Sequence, residues 1–179
     1  MPANHPTNKP PQQTTASQKA ASTSLADGES NSTNDLSQPT PPPCIPGFET
    51  IRRYWDQNQG SFVAKVLPGE FYVSAHDELI CTLLGSCVSA CIRDRRSGLG
   101  GLNHFLLPLD PQPDDKREPV TGRYGRSAMQ QLIDHITRHS CRQYDLEATL
   151  VGGGKIITGV TDIGQQNIDF ARDYLQQCS

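Results

Sequence analysis

Leu83-Leu84-Gly85-Ser86-Cys87-Val88, followed by Gly100-Gly101-Leu102-Asn103-His104-Phe105-Leu106-Leu107-Pro108, decides how this 179-residue chain is read. Leu79–Leu84 is apolar, breaks at Gly85-Ser86 and resumes as Cys87–Ile92. Two buried strand segments fit this pattern, and so does a strand running into a helix start, because short apolar runs are not resolved by period alone. Arg93-Asp94-Arg95-Arg96-Ser97-Gly98 predicts a polar turn. Leu99–Leu107 then returns as an apolar run in which Gly100-Gly101 permits close backbone approach. A Cys after Gly-Ser stands where the chain can turn sharply. Such a turn exposes the sulfur and leaves backbone N–H groups free to face a developing oxyanion. His104 lies at the far end of the returning run, where a hairpin-like path brings it beside Cys87. An imidazole placed there takes the thiol proton. The thiolate–imidazolium pair then attacks a carbonyl and later protonates the leaving amine. Such a pair is expected to alkylate at pH 6–7, where an ordinary thiol of pKa about 8.5 is sluggish. The residues alone leave a plainer reading open: a buried Cys acting as a small hydrophobe and a His satisfied within the core.

Outward from this segment, Phe62–Leu67 and Glu70–Ser74 are β-rich runs separated by the turn signal Pro68-Gly69, with a second break at Asp77-Glu78. Pro108–Pro119 is a Pro- and charge-rich loop. Gly125–His139 predicts an amphipathic helix, since Ala128, Met129, Leu132, Ile133 and Ile136 form one apolar stripe. Leu146–Val151 reads as a strand stopped by Gly152-Gly153-Gly154. Asn167–Leu175 reads as a second helix with Ile168, Ala171, Tyr174 and Leu175 inward. This mixture predicts an α/β domain, with helices covering one face of a sheet.

The composition divides at residue 48. Overall, 35% of residues are hydrophobic, low against the roughly 45–50% of globular chains, a range that also counts Gly. Residues 1–47 account for the deficit. They hold 9 of the 14 prolines, no aromatic residue, and only Met1, Leu25, Leu36 and Ile45 as large apolar side chains. A disordered tail is expected, because such a stretch cannot bury enough surface to offset its ordering entropy. Residues 48–179 contain every aromatic and suit one compact domain. A net charge of −3 gives no support for a sequence-independent nucleic-acid or membrane-surface binder. No apolar run approaches the roughly 18 residues of a membrane span, and no secretory h-region is visible. Six Cys in this setting are expected to be reduced thiols.

Other candidates are weaker. Cys81, Cys87 and Cys91 with His104 do not match the spacing of structural zinc sites. His135 and His139 share a helix face but lack a third ligand. Gly152-Gly153-Gly154-Lys155 lacks phosphate-loop spacing and is better read as a tight turn. Arg93, Arg95 and Arg96 are interrupted by Asp94 and read as a solvated turn.

Taken together, these blocks resemble CheD, the chemoreceptor glutamine deamidase family of bacterial chemotaxis. The resemblance runs through Leu67-Pro68-Gly69-Glu70-Phe71-Tyr72-Val73, Leu83–Val88, Gly100–Pro108 and Arg123-Tyr124-Gly125. It continues through Leu146-Glu147-Ala148, Gly152-Gly153-Gly154 and Thr161–Asn167. It implies a layered α/β sandwich, with helices packed on a mixed sheet over residues 48–179. It also implies an activity: hydrolysis of glutamine side-chain amides in methyl-accepting chemotaxis receptors, giving glutamate and ammonia. By the same resemblance Cys87 is the nucleophile and His104 the base. Gly85 and Ser86 form the oxyanion turn, and no metal or organic cofactor is needed. The implied location is cytoplasmic, at the cytoplasmic part of the receptors, with a CheC-type phosphatase as a further partner of some members.

Two departures from the family pattern stand out. Members first described carry a catalytic Thr six residues before the nucleophile; here that position is Cys81, and Thr82 stands one residue later. On a regular strand that shift points the side chain to the opposite face, so Thr82 can serve only if the strand is re-aimed. Otherwise it is a β-former inside a buried strand. Members also usually continue past the last helix with further strands, which residues 48–179 are expected to lack. These departures favour an alternative, a catalytically weak or inactive module that docks on receptors or on a CheC-type phosphatase.

Overall fold

The computed structural model describes residues 39–109, 122–140, 145–155 and 161–178. Residues 1–38 of the tail expected over 1–47, and most of the Pro-rich loop, lie outside them. The elements in order are β1 (Arg52–Asp56), β2 (Ser61–Lys65), β3 (Phe71–Ser74), β4 (Leu79–Cys81), β5 (Val88–Asp94), β6 (Gly100–Asn103), α1 (Gly125–His139), β7 (Leu146–Gly152) and α2 (Ile163–Gln177). The α/β expectation is borne out, with the strands divided between two sheets. β1 and β2 are antiparallel and β2 and β4 parallel, giving a mixed three-stranded sheet. The second sheet has the order β3-β6-β5-β7 and is antiparallel throughout. The helix predicted over Gly125–His139 is α1, with Ala128, Met129, Leu132 and Ile136 fully buried. α2 begins four residues before the predicted Asn167, because the Asp162 side chain caps the Gln165 N–H at 3.0 Å.

Both helices pack on the four-stranded sheet, against a core that includes Val73, Val88, Ala90, Ile92 and Phe105. Gly101 of β6 makes the approach of α1 possible. A Cβ there would lie 2.4 Å from the Tyr72 carbonyl oxygen and 2.8 Å from Leu132 Cδ1. No helix among the described residues is long and apolar enough to cross a membrane.

A buried carboxylate joins the two sheets. Glu78, just before β4, takes Arg53 Nε of β1 at 2.8 Å, the Tyr72 hydroxyl of β3 at 2.6 Å and the Ser74 hydroxyl at 2.5 Å. The Arg53 and Glu78 side chains are 8% and 1% exposed. Burial and the adjacent carboxylate push the Tyr72 phenol well above its ordinary pKa, so it stays a donor. Arg53 Nη1 also donates to the Pro42 carbonyl at 2.7 Å, and a His76 ring nitrogen lies 2.9 Å from the Pro43 carbonyl. Cys44 and Ile45 pack against the core, and Phe48 makes edge contacts with Phe71 and Tyr72. The packed chain thus extends to the N-terminal side of residue 48. Composition hides this, because Pro42 and Pro43 contribute only carbonyl oxygens.

Replacing Arg53 by Ala strands the Glu78 charge in a dry site. The variant is expected to lose about 3 kcal/mol or more of unfolding free energy in urea titrations, the usual consequence of breaking a buried ion pair from one side. A loss below 1 kcal/mol, typical of an exposed pair, would show that the cluster does not hold the sheets together.

Candidate active site

His104 is held by backbone on both sides. Leu67-Pro68-Gly69-Glu70 forms a turn closed by the Glu70 N–H on the Leu67 carbonyl at 3.0 Å, with Gly69 at φ +83°. Pro in the second position and a left-handed Gly in the third are the residues this type II turn requires. The Gly69 N–H donates to the His104 carbonyl at 2.7 Å and the His104 N–H to the Glu70 carbonyl at 2.9 Å. Two residues of one strand therefore face one of the other, the pattern of a bulge.

On its other side, the β5–β6 register that pairs Cys91 with Leu102 recurs where Val88 and Phe105 exchange hydrogen bonds at 3.2 and 3.1 Å. Between these points side chains substitute for the main-chain ladder. The Ala90 N–H donates to Asn103 Oδ1 at 2.8 Å, and the Ser89 hydroxyl to the Asn103 carbonyl. Phe105 faces α2, against Phe170 at 6.1 Å between ring centroids. Cys87 and His104 immediately precede Val88 and Phe105, the two residues of that antiparallel bridge, so the bridge brings their chain segments side by side.

Thr82 reaches His104. β4 ends at Cys81, whose carbonyl accepts the Val66 N–H at 2.9 Å. Thr82 lies beyond the regular strand, so strand alternation does not fix its direction. Its hydroxyl donates to the Val66 carbonyl at 2.8 Å and lies 2.7 Å from His104 Nδ1. A hydroxyl has one hydrogen. His104 must therefore donate from Nδ1 to Thr82, which leaves Nε2 with its lone pair free. Nε2 is buried and has no hydrogen-bond partner among the described residues. Burial also lowers the imidazole pKa below its ordinary 6.5, so the ring is neutral at pH 7.

The turn at Gly85-Ser86-Cys87 is gripped by three consecutive carbonyls. Gly85 O accepts the Gly154 N–H at 2.8 Å, Ser86 O accepts Asn167 Nδ2 at 3.0 Å, and Cys87 O accepts the Gly153 N–H at 2.8 Å. Neither the Ser86 nor the Cys87 N–H donates to another described group. Cys87 is half-buried, and burial raises its thiol pKa, opposed by its own backbone N–H. With the thiol shifted up and the imidazole down, the resting pair is neutral. These directions run against a preformed thiolate–imidazolium pair. Desolvation penalises both charged forms.

The remaining candidates take structural places. Among the described residues no three His, Cys, Asp or Glu side chains are grouped to hold a metal. His135 and His139 stack at 6.1 Å, with Nδ1 of each on the carbonyl four residues earlier. Arg93 and Arg95 form exposed 2.7 Å ion pairs with Glu147. β7 ends at Gly152, so the glycine run is a strand-end turn whose N–H groups serve the Cys87 loop. Ser89, Asn103 and Asn167 were not singled out by sequence reasoning. The available signal was a polar side chain inside an apolar run or on an inward helix face.

Residues 106–179 match the family model described as CheD chemotactic sensory transduction. A Halorhodospira halophila protein named "Probable chemoreceptor glutamine deamidase CheD" is 51% identical over 142 residues, covering 76% of this chain and 65% of that protein. Its namesake from Hahella chejuensis is 44% identical over 143 residues, covering 78% and 67%. The Methylobacillus flagellatus protein of the same name is 46% identical over 127 residues, covering 69% and 62%. The chain thus spans 62–67% of the length of these curated relatives.

Two outcomes follow from the site geometry. A raised thiol pKa means less thiolate at any given pH, so iodoacetamide alkylation of substrate-free Cys87 should be slow at pH 7. It should reach half its plateau above the ordinary thiol pKa of about 8.5; half-maximal alkylation near pH 6–7 would restore the ion pair. Thr82→Val removes the acceptor of the His104 Nδ1–H and should cost about 1–3 kcal/mol in urea unfolding, the price of a stranded buried donor. Thr82→Ser should stay close to the parent, and equal losses in both variants would argue against the hydroxyl.

Proposed function

The chain belongs to the CheD family, and we propose that it is a protein-glutamine deamidase that converts receptor glutamines to glutamate. The observation that carries this reading is His104 Nε2, buried and without a hydrogen-bond partner among the described residues, beside the Val88–Phe105 bridge that brings the Cys87 segment alongside. A neutral base beside a neutral thiol is the arrangement in which proton transfer accompanies attack.

In the proposed cycle, Cys87 Sγ forms a bond to the glutamine amide carbon as its proton passes to His104 Nε2. The C=O electrons move onto oxygen, where the N–H groups of Ser86 and Cys87 receive the oxyanion. The intermediate collapses, the C–N bond breaks, and His104 returns the proton to the departing nitrogen, releasing ammonia. Water then attacks the thioester. His104 takes a proton from the water and delivers it to the leaving sulfur. The balance is glutamine plus water to glutamate plus ammonia, with Cys87 and His104 regenerated. Thr82 holds the imidazole in the tautomer that every step uses.

The substrate class and place of action come from the family resemblance and from the relatives' names. They are glutamines in the cytoplasmic part of methyl-accepting chemotaxis receptors, with a CheC-type phosphatase as a further partner. A neutral amide on such a receptor becomes a carboxylate, so each turnover adds one negative charge.

Incubation with a receptor cytoplasmic fragment should raise its mass by about one dalton per converted glutamine, the amide-to-acid change. Cys87→Ala should abolish the gain, and His104→Gln should slow it by about 10²–10⁴-fold, the usual share of a general base. Conversion that persists in Cys87→Ala would overturn the assignment.

A further inference from the structure

We propose that Asn167 is the positioning residue of the oxyanion site, acting from α2 on the peptide group that carries the Cys87 N–H. The inference rests on the deamidase reading and deepens it. Asn167 is fully buried. Its Nδ2 donates to two carbonyls, Ser86 O at 3.0 Å and Leu106 O at 2.9 Å. Ser86 immediately precedes Cys87, and Leu106 lies two residues past His104. One amide group therefore bridges the chain segments of the nucleophile and the base.

The consequence for the oxyanion follows from peptide geometry. In a trans peptide the C=O of one residue and the N–H of the next point in opposite directions within one plane. Asn167 pulls the Ser86 carbonyl toward α2, so the Cys87 N–H points away from α2. The Gly154 N–H grips the Gly85 carbonyl and turns the Ser86 N–H in the same manner. The Ser86 and Cys87 N–H groups, neither of which donates to another described group, are thus aimed by contacts on the far side of their own peptide planes. Without the Asn167 donor, the Ser86–Cys87 peptide can rotate and its N–H loses a fixed direction. Preorganised direction is what gives such donors their catalytic worth.

Alkylation of Cys87 by iodoacetamide makes no oxyanion, whereas deamidation does, and this separates positioning from general structural support. Asn167→Asp keeps the size and removes the donor; Asn167→Ala removes the whole group. In variants that retain the parent far-ultraviolet circular dichroism, kcat for a receptor fragment should fall about tenfold to hundredfold, near or below the cost of losing one oxyanion donor. KM and the Cys87 alkylation rate should stay within about twofold, because the loss is confined to the transition state. Unchanged kcat would overturn the proposal, as would kcat and alkylation falling in parallel. If neither variant folds, the parent chain still decides: the Asn167 side-chain amide protons should exchange slowly with solvent, and rapid exchange would overturn the grip itself. A parent chain that does not deamidate would sink the activity instead, an outcome distinct from an active parent with an equally active Asn167→Asp.

Discussion

Glu78 is the point through which the two sheets are joined. Its carboxylate is almost wholly removed from water, yet three donors from β1 and β3 converge on it. A buried carboxylate with this many partners tolerates little displacement, because any lost partner exposes the desolvation cost of the charge. The start of β4 is thereby set against β3, and the end of β4 falls where Thr82 meets His104. The candidate site lies at the seam of the sheets, positioned at one end by a charge and at the other by a shared hydroxyl.

Much of this was legible in residue order. The stripe in Gly125–His139 set α1 to its observed bounds. Pro68-Gly69 marked the turn that holds His104, and Gly85-Ser86-Cys87 marked the turn of the nucleophile. These features are local, and local rules found them. Thr82 shows where such reasoning stops. Strand alternation turns its side chain away from the site, but β4 ends one residue earlier and the rule no longer applies. β1 was missed because Arg52–Asp56 carries neither a clean alternation nor a β-branched run, and its pairing with β2 decides its conformation.

The largest omission was the far side of the nucleophile turn. Gly153, Gly154 and Asn167 hold three successive carbonyls, from positions more than sixty residues along the chain. Periodicity and turn propensity carry no information about such a meeting. Asn167 sits on a helix face with Ala171, among positions that pattern analysis assigns to packing. Its amide is inward for hydrogen bonding, a distinction that burial alone cannot make.

The neutral resting pair also bears on chemical durability. Peroxides and disulfides react with thiolates, and a thiol that stays protonated presents little of the reactive species. Many Cys nucleophiles are activated permanently by a nearby cation and are correspondingly open to oxidation. Here the desolvation that raises Cys87 and lowers His104 keeps the sulfur dormant. The same burial that slows the nucleophile at rest shields it from oxidative wear.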